Sequence, residues 1–253
     1  MKNRIFVIDG SSYLYRAFHA MPPLSTSSGK PTGAVKGVTN MLMNLKKDSE
    51  GSPIIVVFDA KGKTFRSDIY SEYKANRPPM PDELRDQLIP VKSICRAIGF
   101  PLIEIEGVEA DDVIATISQM AKDAKYKCVI SSLDKDLMQL VEDPHTTVMD
   151  TMKHKIFNEE SVFEKFGVKP NQIRDMLALV GDASDNIPGV PKVGQKTGFV
   201  QHLLATFSMI YFLPPSLQGI HCRTIARNHW RFRKENLKPW KSSGIPWWTQ
   251  LMP

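Results

Sequence analysis

Short apolar, β-branched runs alternate with longer segments of helical periodicity over the first half of the chain. The runs predict buried strands at residues 5–10, 53–59, 101–106 and 127–131. Apolar positions three and four apart predict helices over residues 32–47, 82–98 and 108–124, with Asp82 as the N-cap of the second. Strand–helix–strand units of this kind favour an α/β fold with a parallel sheet.

Two segments depart from this alternation. Residues 61–81 are polar, rich in Lys and Arg, and end in a proline-rich run, which predicts a long excursion from the sheet. Residues 158–204 predict short helices joined by Gly/Pro turns. The chain shows no internal repeat and no low-complexity segment.

Most of nine carboxylates lie at the ends of predicted strands or in turns. Because ligands of open α/β sheets bind beyond the carboxyl ends of the strands, these side chains fall where a site is expected. Nine residues form this set: Asp9, Asp59, Glu109, Asp111, Asp112, Asp134, Asp136, Asp182 and Asp185. Any one of them alone fits a turn or a helix cap. Together they favour hard divalent cations, which prefer oxygen ligands, and nine carboxylates fit two metal sites better than one.

The polar excursion carries the basic and aromatic residues that a phosphate would need. Tyr73, Lys74 and Arg77 lie within five positions, and Lys61, Lys63 and Arg66 precede them. One interpretation is a solvated basic face. The other is an arm on which Lys and Arg contact phosphates while Tyr73 stacks on a base.

A glycine-rich motif follows the last acidic cluster. In residues 187–197, Gly189 and Gly194 are spaced as in a tight hairpin that opens a helix, with Lys196 in the helix start. Such glycines let backbone N–H groups approach a phosphate. An ordinary helix–helix turn is the alternative.

The charge of the protein is distributed unevenly along the chain. The chain has 253 residues and a net charge of +6, yet residues 1–198 hold 26 basic and 26 acidic side chains, and residues 199–253 hold seven basic and one acidic. All four tryptophans lie in that last segment.

Three cysteines without CxxC spacing indicate a reducing, cytoplasmic compartment. No apolar run reaches the length of a membrane span.

Five motifs together resemble a known family. Residues 7–17, 57–66, 73–78, 107–112 and 181–189 closely resemble the 5′-nuclease domain found at the N-terminus of bacterial DNA polymerase I, within the flap endonuclease family. The match runs in family order from about residue 5 to residue 197.

This resemblance implies an architecture. It consists of a PIN-like α/β domain over residues 1–157, with a helical arch at about residues 61–90, followed by an incomplete helix–hairpin–helix DNA-binding region at residues 158–204. It also implies 5′-to-3′ exonuclease and 5′-flap endonuclease activity on DNA with flaps, nicks or RNA primers. A monomer in the bacterial or phage-like cytoplasm, associated with the nucleoid, is expected.

The resemblance also assigns roles to residues. The seven carboxylates from Asp9 to Asp136 become ligands of two Mg²⁺ or Mn²⁺ ions or carboxylates just behind those ligands, and Asp182 and Asp185 complete the second site. Lys74 and Arg77 steady the scissile phosphate beside Tyr73. The DNA-contacting residues are Arg16, Lys61, Lys63, Arg66, Gly189, Gly194 and Lys196, with a monovalent cation at the hairpin turn.

The end of the chain departs from the family pattern. Residues 205–253 are basic and Trp-rich and lack both helical and strand periodicity, so we hypothesise that about residues 199–253 are out-of-frame or otherwise non-homologous, with no polymerase domain in this chain. A genuine tail that binds single strands is the alternative. If the incomplete region left the hairpin or arch disordered, a non-cleaving DNA-junction binding protein would be the alternative function.

Overall fold

A parallel sheet organises the part of the chain that the computed structural model describes, residues 3–150, 153, 155–191 and 193–194. Within these ranges the sheet has six strands in the order β3-β2-β1-β4-β5-β6. Neighbouring strands from β3 to β5 pair in parallel, and β6 is antiparallel to β5. The strands are β1 Arg4–Asp9, β2 Ile54–Val57, β3 Leu102–Ile103, β4 Lys127–Ser131, β5 Thr146–Asp150 and β6 Lys155–Phe157. The parallel α/β fold expected from the sequence is confirmed.

Seven α-helices connect and follow these strands in the described ranges. They are α1 Gly10–Ala20, α2 Gly33–Asp48, α3 Phe65–Ile69, α4 Asp82–Ala97, α5 Ala110–Asp123, α6 Glu159–Phe166 and α7 Ile173–Val180. Short 3-10 helices occupy Asp136–Leu140, Pro170–Gln172 and Ala183–Asp185. None of the helices in this part of the chain has the length and apolar character that a bilayer span requires.

The start of α4 corrects one expectation. Pro81, not Asp82, is the N-cap, and no side-chain hydrogen bond caps the helix. Asp82 is the first helical residue, where its carboxylate accepts a hydrogen bond from Arg85 at 2.5 Å and lies in the favourable field of the helix N-terminus. The prediction of Asp82 as a cap was therefore wrong by one position.

Both faces of the sheet are buried by alternate residues of the central strands. Ile5 and Val7 of β1 pack in one core cluster with α5, and Phe6 and Ile8 pack in the other with α1, α2 and α4. Burial on both faces is why the central strands are continuously apolar rather than alternating.

The region after β6 shares the first of these cores. Val162 of α6 and Ile173 and Met176 of α7 are buried in the same cluster as Ile114 of α5 and Ile130 of β4. The turn that follows α7 is thereby held at a fixed place relative to the sheet.

The excursion between β2 and α4 makes few apolar contacts with the core, where the partly buried Phe65 and Met80 pack against the two clusters. No residue from 59 to 83 is buried. The resemblance led us to expect a helical arch at about residues 61–90, whereas the only helices in that span are the five residues of α3 and the start of α4. Residues 70–77, which we call the strap, are instead a run of turns placed by polar contacts.

Candidate metal centre

The site lies at the point where the order of the strands reverses. From β1 the chain builds β2 and β3 on one side, and β4, β5 and β6 then lie on the other side. Parallel sheets bind ligands in the crevice at such a switch point, outside the carboxyl ends of the strands. Asp9 ends β1, and the loop after β4 begins beside it, because Ile8 pairs with Ser131.

Three carboxylates meet at one end of this crevice. Oxygens of Asp136, Asp182 and Asp185 all lie within 4.8 Å of one another. Asp136 Oδ1 is buried without a hydrogen-bond partner. A buried carboxylate oxygen without a donor is costly unless a cation satisfies it, so this donor set fits a hard divalent metal ion.

Asp182 is fixed by donors on one of its oxygens. Its Oδ1 accepts hydrogen bonds from Lys135 Nζ at 2.7 Å, from Ser184 N at 3.0 Å and from Ser184 Oγ at 2.5 Å. Burial would raise the pKa of this carboxyl, but the bonds from Lys135 and Ser184 outweigh it and hold the pKa below its ordinary value. Because these three donors bind the same oxygen, Oδ2 is left available to a cation.

The second acidic group surrounds the end of β1. Asp9 is buried and accepts hydrogen bonds from Ser12 N and Ser132 Oγ, both at 2.9 Å. Burial, opposed by these bonds and reinforced by the charges of Asp59 and Asp134, raises the pKa of Asp9 to about 6.

Asp111 and Asp136 belong to the same electrostatic system. Burial, followed by the charges of Asp134 and Asp9, raises the pKa of Asp111 well above its ordinary value. Burial and then the charge of Asp134 raise the pKa of Asp136 to about 7. Asp134 thus connects the two acidic groups electrostatically, and a bound cation would relieve the repulsion between these crowded carboxylates.

Asp59 joins β2 to the start of α5. Its Oδ1 accepts a hydrogen bond from Ala110 N at 2.8 Å, and its backbone N donates to Ser11 Oγ at 3.2 Å. The side chain is exposed, at the edge of the crevice.

Asp112 has a different partner from the other carboxylates. Arg66 binds it in a fork, with Nη1 2.6 Å from Oδ2 and Nη2 2.8 Å from Oδ1. Its Oδ2 also accepts from Glu109 N in a capping box at the start of α5. The structure therefore places Asp112 in an ion pair, outside the three-carboxylate cluster, and its predicted metal contact stays a prediction.

The strap brings its cations to the carboxylates. Lys74 Nζ lies 2.9 Å from Glu109 Oε1, and Arg77 Nη2 lies 2.6 Å from Asp185 Oδ1. Tyr73 Oη donates to Asp185 Oδ2 at 2.8 Å and also lies 3.2 Å from Glu109 Oε2. Burial and the two carboxylates raise the pKa of Tyr73 far above its ordinary value, which keeps its hydroxyl a donor.

The residues predicted to contact DNA are dispersed. Lys61 and Lys63 are exposed beside the strap, whereas Arg66 is held by Asp112, and Arg16 donates to the buried Asp150 at 2.9 Å. The structure thus engages both arginines with internal carboxylates rather than leaving them free on the surface.

The hairpin motif is described only in part. Gly189 packs against the backbone of Gly181, where a Cβ would lie 2.4 Å from Gly181 N. That contact gives Gly189 a structural requirement that the sequence did not indicate, and its predicted phosphate contact stays a prediction. Gly194 is described, whereas Lys196 and residues 195–253, including the Trp-rich segment, lie outside the described residues.

Several site residues were missed from the sequence. Lys135, between two candidate ligands, binds Asp182, and Ser132 and Ser184 orient carboxylates. The alternation of Asp134, Lys135 and Asp136 could have indicated that Lys135 belongs to the site, because a cation between two carboxylates lies close to acidic partners.

The fold and site define an α/β protein with an acidic centre of metal-binding type at the switch point of its sheet. The chain belongs to the 5′-3′ exonuclease family. The model of the 5′-3′ exonuclease N-terminal resolvase-like domain matches residues 4–167, and that of the 5′-3′ exonuclease C-terminal SAM fold matches residues 168–229. The family predicted from the sequence motifs is confirmed.

The chain is similar to parts of longer proteins. It is 58% identical over 193 residues to DNA polymerase I of Pseudomonas aeruginosa, covering 76% of this chain and 21% of that protein. It is 47% identical over 193 residues to a 5′-3′ exonuclease of Aquifex aeolicus, covering 76% of this chain and 66% of that protein. The chain therefore spans about a fifth of the polymerase and about two thirds of the exonuclease.

A solved structure shares the fold. A flap endonuclease of bacteriophage T5, in a pseudo-enzyme–product complex with DNA and metal ions, superimposes with a TM-score of 0.68 at 23% identity, over 92% of this chain and 90% of that one. At this identity the likeness bears on the fold alone.

Proposed function

We propose that this protein is a divalent-metal-dependent nuclease that hydrolyses DNA phosphodiesters as a 5′-to-3′ exonuclease and a structure-specific 5′-flap endonuclease. Its physiological substrates are RNA primers and displaced strands in replication and repair. Membership of the 5′-3′ exonuclease family supports the direction of attack.

One observation carries the proposal. Three carboxylates, Asp136, Asp182 and Asp185, converge within 4.8 Å, and the strap places Lys74 and Arg77 beside the same acidic edge. A phosphodiester brought to this edge meets cations from the strap on one side and metal ligands on the other. Phosphoryl transfer needs positioning and charge stabilisation more than covalent chemistry, and this arrangement supplies both.

The carboxylates form two groups, each of which would hold one metal ion. Asp136, Asp182 and Asp185 would hold one, and Asp9, Asp111 and Asp134 would hold the other. A Mg²⁺ or Mn²⁺ ion bound by these residues would lower the pKa of a coordinated water and offset negative charge on the leaving 3′-oxygen. Ser132, Ser184 and Lys135 orient these ligands by the hydrogen bonds described above.

The strap residues act on the phosphate. Lys74 and Arg77 exchange their present carboxylate partners for phosphate oxygens and stabilise the negative charge that develops there. Tyr73, kept protonated by its surroundings, donates a hydrogen bond beside them. Lys61 and Lys63, both exposed, contact the backbone of the bound strand.

The decisive experiment is cleavage of a labelled DNA 5′-flap with Mg²⁺, with Mn²⁺, with Ca²⁺ and with EDTA. We expect cleavage with Mg²⁺ and Mn²⁺ and none with EDTA. Asp182→Asn should lower the cleavage rate at least about 100-fold. Asp123→Asn, at the far end of α5 where Gln119 is its partner, is the matched control and should leave the rate unchanged.

The outcomes separate the functions under consideration. Cleavage that persists in excess EDTA would contradict the metal mechanism. Flap binding without cleavage under any metal would instead favour a non-cleaving DNA-junction binding protein.

A further inference from the structure

Two asparagines join the strap to the acidic turn, residues 182–187, in a reciprocal way. Asn76 Nδ2 in the strap donates to the main-chain oxygen of Ala183 in the turn at 2.8 Å. Asn186 Nδ2 in the turn donates to the main-chain oxygen of Glu72 in the strap at 2.8 Å. Each segment therefore supplies one amide that binds the backbone of the other.

The backbone conformations at this contact are unusual. Lys74 has φ 56° and Asn186 has φ 59°, both in the left-handed region that non-glycine residues rarely adopt. Lys74 N also donates to Asp185 O at 3.1 Å. A strained conformation persists only when its surroundings hold it, and here these surroundings are contacts between the strap and the acidic turn.

Hydrophobic burial does not place the strap, since no residue from 59 to 83 is buried. Its position is set by polar contacts, among them the charged contacts of Lys74 and Arg77, the Tyr73 hydroxyl, the bond from Lys74 N to Asp185 O and the asparagine contacts. The charged contacts and the asparagine contacts differ when a phosphate arrives. Lys74 and Arg77 can exchange carboxylates for phosphate oxygens, whereas the amide-to-carbonyl bonds involve no ligand of the site and can remain.

We propose that Asn76 and Asn186 form a clasp and are positioning residues of the nuclease reaction. The clasp keeps the strap seated on the turn that carries Asp182 and Asp185, so that Lys74 and Arg77 stay aligned with the phosphate while their own partners change. This proposal rests on the proposed function, but the seating of the strap can be measured without it.

Three variants test the clasp. Asn76→Ala removes one donor, and Asn76→Asp keeps the shape but replaces the amide with a carboxylate that cannot donate. Asn186→Gly removes the other donor and retains the left-handed backbone. Asn40→Ala, at an exposed asparagine of α2, is the matched control.

The first readout does not depend on activity. Trypsin cleaves after Lys74 only when the strap leaves the turn, whereas the bond after Arg77 precedes a proline. We expect cleavage after Lys74 to be about tenfold faster in each clasp variant, because an exposed loop that loses an anchoring bond opens more often. The urea midpoint of unfolding should fall only slightly, since a tenfold change in opening corresponds to about 1.4 kcal/mol and both bonds are exposed.

The second readout is the cleavage of the 5′-flap. We expect kcat to fall about tenfold in each single variant, with KM for DNA within about twofold, because misaligned cations affect the transition state more than binding. In the variant lacking both donors, the loss should be smaller than the product of the two single losses, since both bonds seat the same segment.

Unchanged trypsin cleavage after Lys74 would overturn the clasp. Faster cleavage with an unchanged kcat would overturn its positioning role. An unaltered protein that fails to cleave DNA would sink the proposed function, and the trypsin result would still decide whether the asparagines seat the strap.

Discussion

Arg66 and Asp112 form a nearly buried ion pair in which two guanidinium N–H groups meet two carboxylate oxygens. The contacts are 2.6 and 2.8 Å, and the side chains are 11% and 8% exposed. Arg66 follows β2 in the excursion, and Asp112 lies in the first turn of α5, so the pair anchors α3 beside the acidic edge. A fork-to-fork pair fixes orientation as well as charge.

Arg66→Ala should destabilise the protein because it leaves the Asp112 carboxylate buried without its partner. We expect a loss of about 3 kcal/mol or more in the free energy of unfolding, measured by urea denaturation. Arg66→Lys keeps the charge but not the fork and should lose less. A change in Arg66→Ala no larger than in Lys63→Ala, an exposed neighbour, would contradict this account.

The raised pKa of Asp136 predicts a pH-dependent stability in EDTA. Its pKa is raised from 3.8 to about 7, so between these values the folded protein binds more protons than the unfolded chain. The stabilisation by this proton is present below pH 3.8 and is lost as the pH rises through about 7. Asp136→Asn, which cannot ionise, should therefore gain stability relative to the unaltered protein as the pH rises, and level off above that window. A difference that is flat with pH would show that this carboxyl is not perturbed.

Divalent cations should stabilise the folded protein. A ligand that binds only the folded state adds about 2.7 kcal/mol at one hundred times its dissociation constant. We expect Mg²⁺ or Mn²⁺ to raise the unfolding temperature, measured by calorimetry, and Asp182→Asn to reduce that rise. The pKa of Asp136 is about 7, so protons compete with the metal more strongly at pH 5.5 than at pH 8. The rise in unfolding temperature should therefore be smaller at pH 5.5. An equal rise in Asp182→Asn would place the cation elsewhere.

Gly189→Ala should be among the most damaging small substitutions. Gly189 has φ 65°, and an added Cβ would lie 2.4 Å from Gly181 N. We expect a loss of at least about 3 kcal/mol, because backbone atoms must move in addition to the strain at positive φ. Gly29→Ala, at φ 82° with nothing near its Cβ, isolates the strain and should lose about 1–2 kcal/mol. Equal losses in the two variants would show that the close approach to Gly181 does not matter.

The central strands could be predicted from the sequence because burial on both faces makes them continuously apolar. The strands predicted at residues 5–10 and 127–131 agree closely with β1 and β4. The strand predicted at residues 101–106 is only Leu102–Ile103, since it pairs with β2 alone at one edge of the sheet. Strand β5 was missed because its threonines reduce the apolar signal at the far side of the sheet.

Helix α1 was missed for a different reason. Asp9 was interpreted as the polar end of a strand, and it is also the N-cap of α1, where it accepts from Ser12 N. One residue thus ends a strand, starts a helix and belongs to the acidic centre, and a sequence pattern shows only one of these roles.

The sequence predicted which carboxylates form the candidate site, but not which basic residues pair with them. The nine carboxylates do lie at strand ends, helix starts and turns, as the sequence predicted. Sequence spacing could not indicate, however, that Arg66 would form an ion pair with Asp112 or that Lys135 would form one with Asp182. Those choices depend on contacts 46 and 47 residues apart along the chain. The clasp was likewise invisible, because asparagines that bind backbone atoms of a distant segment leave no periodic signal.

The shared core beneath α5 limits where the protein can be truncated and which of its regions can be exchanged. Val162, Ile173 and Met176 are buried against the same cluster as the sheet, so a fragment that ends at Phe157 would expose a wide apolar surface. The boundary between the two family domains at residues 167 and 168 is therefore not a boundary between units that fold alone. Because the two regions share this core, we expect the spacing between the carboxylates of the sheet and those of the turn to depend on the whole core. An engineered exchange of the hairpin region therefore has to include the core residues that this region contributes.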